Sequence, residues 1–68
     1  MTDEASDRQY SKFRDFLIPD TQNTLQSASY AHTQGNYDRV EQLLNAAEAK
    51  IQKCREQLEE DREQNERD

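Results

Sequence analysis

Between Tyr37 and Leu58 apolar residues recur at alternating intervals of three and four: Tyr37, Val40, Leu44, Ala47, Ile51, Cys54 and Leu58. That spacing draws one narrow stripe along an α-helix, the seam of a helix that packs on another helix. The next two seam positions are Asp61 and Asn65, so the stripe stops at Leu58. The remaining "EEDREQNERD" reads as a polar helical or frayed extension. Pairs such as Glu59–Arg62 and Glu63–Arg67 add only about 0.2–0.5 kcal/mol of helicity each.

A seam needs a partner, and the first half offers a less regular one. Tyr10, Phe13 and Leu17 form one short stripe; Ile18, Thr21, Leu25, Ala28 and His32 form a second, shifted by one residue. Pro19 stands where the two meet. A proline removes a helical hydrogen bond and disfavours the α region for the residue before it, so a kink or short break is expected at Ile18–Asp20. Asp20 or Thr21 would cap the restarted helix. Ser6, with Gln9 three residues later, has the spacing of a capping box for the first.

The stretch "SYAHTQGNYDRV", residues 29–40, holds the chain's only glycine and only histidine. Gly35 suits the left-handed position that ends a helix, and Asn36 suits the N-cap of the next. Asp38 then lies in the positive first turn of the second helix, and His32 in the negative last turn of the first. Folding the chain about Gly35 sets Leu25 beside Leu43 and Leu44, Leu17 and Ile18 beside Ile51 and Cys54, and Phe13 beside Leu58. Beyond Tyr10 and Leu58 both arms turn polar at the same level. The expected fold is all-α: an antiparallel two-helix hairpin with helix 1 over about 6–33, a turn at 34–36 and helix 2 over about 37–60. Residues 1–5 are expected to be disordered and 61–68 to form a charged tail.

Residues 28–47, "ASYAHTQGNYDRVEQLLNAA", resemble the middle of a tetratricopeptide-type repeat. Ala28 stands where that repeat prefers a small residue, Gly35 and Tyr37 match its inter-helix turn, and Val40, Leu44 and Ala47 match its second-helix packing positions. The resemblance implies a single helical hairpin of that general shape.

With 68 residues, 31% of them apolar and 35% charged, the chain has room for one small domain. Two helices share only one contact face, and small helical scaffolds usually need a disulfide, a metal or a partner. One cysteine cannot form an internal disulfide, and no His/Cys spacing offers a metal site. A partner remains. Phe16, Tyr30 and Leu43 fall off the seam, and Ile18 faces elsewhere if Leu17 faces helix 2. These four are the candidate partner interface, used to complete a bundle with a second copy or with another protein.

The net charge of −6 is spread over both halves, five acids against three bases in residues 1–35 and ten against six in 36–68. That balance disfavours direct contact with nucleic acid or anionic membrane. "MTDEASDR" has neither the basic nor the apolar part of a secretory signal, and no apolar run approaches membrane-spanning length. A cytoplasmic protein is expected.

His32 and Cys54 lie far apart along a hairpin, too far for a nucleophile–base pair. His32 reads as a helix-end residue and Cys54 as a small buried hydrophobe; a pH-sensitive contact and an interchain disulfide are the sharper alternatives. No Gly-rich phosphate loop is present. The expectation is therefore no enzyme, no cofactor, no metal and no small-molecule substrate. The favoured function is a small protein–protein interaction module: an adaptor, co-chaperone or accessory subunit. The alternative is an acidic inhibitor that fills a partner's basic groove with Glu56, Glu59, Glu60, Asp61 and Glu63.

Overall fold

The computed structural model describes residues 9–67, with side chains described as far as residue 64. Among the described residues all regular structure is helical. A π-helical turn, Phe13–Leu17, leads into α1, Ile18–Thr33, and α2 spans Tyr37–Arg67.

Residues 9–11 are not helical, so the helical run begins at Lys12, later than expected. Its cap is Ser11. The Ser11 hydroxyl accepts the N–H of Arg14 at 3.1 Å, and the Ser11 N–H donates to Asp15 Oδ2 at 2.9 Å. This is the reciprocal logic of a capping box, with the acid one residue further on. Arg14 grips the same carboxylate through Nε and Nη2, and the hydrogen bond and negative charge of Asp15 hold its guanidinium above its ordinary pKa. Ser6 and the expected disorder of 1–5 lie outside the described residues.

No break occurs at Ile18–Asp20. Leu17 and Ile18 keep helical angles, at φ −66° ψ −43° and φ −67° ψ −49°, and Pro19 sits in the first turn of α1. The backbone adapts one turn earlier. The N–H of Ile18 bonds to the carbonyl of Phe13, five residues back. Pro19 is the next donor in that series and has no N–H, so the π register stops there and the α register resumes. The caps expected of Asp20 and Thr21 have no helix end to serve. Thr21 instead donates its hydroxyl to the Leu17 carbonyl at 2.8 Å.

The turn follows the residue types. Gly35 has φ +75°, its N–H bonds to the His32 carbonyl at 2.9 Å, and the Asn36 N–H bonds to the Ala31 carbonyl at 2.9 Å. These two bonds make a Schellman motif, which needs a left-handed residue at its centre. Asn36 Oδ1 then accepts the Arg39 N–H at 3.3 Å as the cap of α2. From there α2 stays helical to Arg67, so much of the charged tail continues the helix.

Moving away from the turn, Tyr30 shares a groove with Leu43, Asp20 meets Lys50, and Phe16 shares a depression with Gln57. The pair is hairpin-like. Its Cα atoms extend 49 Å along the longest axis and only 9 Å along the shortest, a single layer of helix.

The seam is not the Leu/Ile row. On α1 and the turn before it, the inward residues are Leu17, Thr21, Thr24, Ala28 and Ala31; on α2 they are Val40, Leu43, Ala47, Lys50, Cys54 and Gln57. Spacings of three and four persist, but each helix is rotated from the expected setting. Phe13, Leu17, Thr21, Ala28, Val40, Ala47 and Cys54 remain in the seam. Leu25, Leu44, Ile51, Leu58 and Tyr37 are displaced to its edge. Small residues at the centre let the two backbones approach closely, and Ala47 is only 2% exposed. The Cys54 thiol lies 3.7 Å from Thr21 Oγ1. Because the Thr21 proton is already given to Leu17, the thiol is the donor in that contact.

Candidate interaction surface

The hairpin-like layer has two broad sides. In an antiparallel helix pair, positions one residue after each seam position emerge on one side, and positions one residue before emerge on the other. The first side collects Ile18 and Leu25 from α1 with Leu44, Ile51 and Leu58 from α2. Each of these follows a seam residue by one. Leu25, Leu44, Ile51 and Leu58 are 43%, 44%, 41% and 43% exposed, and Ile18 is half-buried. At the turn end His32 and Tyr37 join the same side, their ring centroids 5.4 Å apart and tilted by 57°. Over this side the aliphatic row on α2 runs fourteen residues, about 21 Å at ~1.5 Å per residue.

The opposite side is wetter. Asn23, Ser27, Tyr30, Gln34, Arg39 and Leu43 line an open groove of about 930 Å³ beside the turn. Further along, Phe16 borders a smaller depression with Lys12, Lys53, Glu56 and Glu60. Between the helices Lys50 Nζ bonds Asp20 Oδ2 at 2.7 Å, with each side chain about a third exposed. Lys50 therefore occupies a seam position by burying its stem and turning its charge outward.

The four residues singled out from sequence do not form one surface. Tyr30 and Leu43 share the groove near the turn, Phe16 lies in the second depression, and Ile18 is on the far side. Tyr30 is 67% exposed. Of this aliphatic face only Ile18 is among the expected interface residues; Leu25, Leu44, Ile51 and Leu58 share the three–four spacing of a seam, which disguises the face in the sequence. A signal was present: Leu44, Ile51 and Leu58 are spaced seven apart and larger than the Ala and Cys beside them.

Cys54 meets Thr21 rather than His32, and among the described residues no three His, Cys, Asp or Glu side chains gather as a metal site. Nor is any described helix long and apolar enough to cross a membrane. No protein-family model, curated protein or solved structure matches the chain.

Proposed function

We propose that the chain acts as an antiparallel helical hairpin that completes a bundle against a protein partner, serving as an adaptor, co-chaperone or accessory subunit. One observation carries this reading: a layer one helix thick keeps five aliphatic side chains together on one side, four of them more than two-fifths exposed. Burying a Leu or Ile contributes about 1.5–3 kcal/mol when complete, and here that burial is left half-made. A partner helix, or a pair of them, laid along Leu44, Ile51 and Leu58 would finish it.

The test is chemical cross-linking in extract of the native cell, comparing the natural chain with Ile51→Glu. Loss of the cross-linked species in the variant, with helicity preserved by circular dichroism, is the expected result. Unchanged cross-linking would remove this face from the function. Capture that survives the substitution but disappears at raised salt would point instead to the acids of α2.

A further inference from the structure

The aliphatic face has a symmetry that its two helices share. On α2 the row Leu44, Ile51, Leu58 is centred on Ile51. Along the outer edge of that row run Glu41, Glu48, Arg55 and Arg62, again seven apart and all exposed. The sign of this second row inverts between Glu48 and Arg55, half a residue from the same centre. On α1 the apolar positions Ile18 and Leu25 are centred between Thr21 and Gln22. Asp20 meets Lys50 and Thr21 meets Cys54, so that centre lies level with Ile51. Three independent rows are thus balanced about one level of the molecule.

We propose that the partner covering this face is a second copy of the chain, related by a two-fold axis that crosses the helices at the level of Ile51. This rests on the interaction-module reading and names its partner. The axis lays α2 antiparallel on α2 of the other copy. Leu44 then packs on Leu58, Ile51 meets its own equivalent, and Leu25 meets Ile18. Glu48 faces Arg55 across the interface and Glu41 faces Arg62, four opposite-charge pairs in all. Within one chain Arg62 contacts Glu59 at 3.8 Å.

The charge row also selects among two-fold arrangements. An axis parallel to the helices would stack α2 on α1 of the other copy. There the matching edge positions of α1, Gln22 and Ser29, are uncharged, and the charged residues of the turn before it, Arg14 and Asp15, pair with each other at 2.9 Å, so no row of opposite sign meets Glu41, Glu48, Arg55 and Arg62. A row of carboxylates that becomes guanidinia at its midpoint is the pattern that antiparallel self-pairing uses to fix register.

Sedimentation equilibrium on the full chain and two double variants tests this. The natural chain is expected at twice its 8.0 kDa mass. Glu41→Arg/Glu48→Arg makes the row all basic, and Arg55→Glu/Arg62→Glu makes it all acidic. Each alone turns four attractions into repulsions and is expected to self-associate about tenfold or more weakly. Mixed in equal amounts, the two should form a heterodimer at least as tight as the natural dimer. The positions are exposed, so helicity by circular dichroism should not change. A natural chain that stays monomeric to millimolar concentration would overturn self-pairing, whereas the interaction-module reading falls only if Ile51→Glu leaves cross-linking intact. A dimer indifferent to both charge variants would overturn the α2–α2 arrangement.

Discussion

At Gly35 one backbone angle decides the course of the chain. With φ at +75°, an L side chain there is strained even though a Cβ would meet no atom within 4 Å. The penalty is therefore conformational, about 1–2 kcal/mol for Gly35→Ala. Asn visits the left-handed region far more readily, so Gly35→Asn should recover most of that loss. Urea unfolding followed at 222 nm would separate the two, and equal midpoints would mean that the Schellman turn does not govern stability. Asp20 and Lys50 present a different case. Their 2.7 Å bond is an ion pair between α1 and α2, yet both groups remain about a third exposed to water. Solvent screening limits such a pair to about 0–1 kcal/mol. Its value lies more in register than in strength, since it lets a seam position hold a lysine without burying the charge.

The helices show how packing chooses one edge of an apolar arc. On α2 the arc runs from Val40, Ala47 and Cys54 across to Leu44, Ile51 and Leu58. The narrow edge faces α1, because Ala28, Ala31, Ala47, Cys54 and Thr21 together allow a close approach that Leu and Ile would prevent. Ala47→Leu should accordingly destabilise the fold by about 1–3 kcal/mol through overpacking, although it raises hydrophobicity. Leu44→Ala, at the exposed edge, should change the stability of the isolated chain much less; a larger loss from Leu44→Ala would return Leu44 to the seam. The same contrast explains what the sequence could disclose. Helical periodicity, the Gly35–Asn36 turn and the polar stretch after Leu58 depend on local chemistry and are legible residue by residue. The seam depends on how far two backbones close, and size and hydrophobicity pull in opposite directions there. The one-residue offset between the stripes of the first half was legible too, but its resolution was not. A π turn resolves it by bringing half-buried Phe13 to the end of the seam, where an unbroken α register would place Arg14.

For the chain as a whole, the proposed pairing would make folding and association one problem. A pair of helices meeting along a small-residue seam buries little, and an aliphatic face half-exposed in each copy becomes a core when two copies meet. Stability should then depend on protein concentration, and Cys54 is a native reporter of it. The thiol is buried against Thr21, so alkylation requires the helices to part. With reagent slow relative to reclosing, the labelling rate follows the population of the open state. If pairing stabilises the closed hairpin, raising chain concentration through the dimer's dissociation constant should slow labelling of Cys54 progressively. The all-basic variant, Glu41→Arg/Glu48→Arg, should label at a rate that stays flat over the same range and drops when the all-acidic variant is added. A natural chain whose labelling is independent of concentration would show that the seam alone closes the hairpin, and that the face formed by Ile18, Leu25, Leu44, Ile51 and Leu58 adds nothing to its folding.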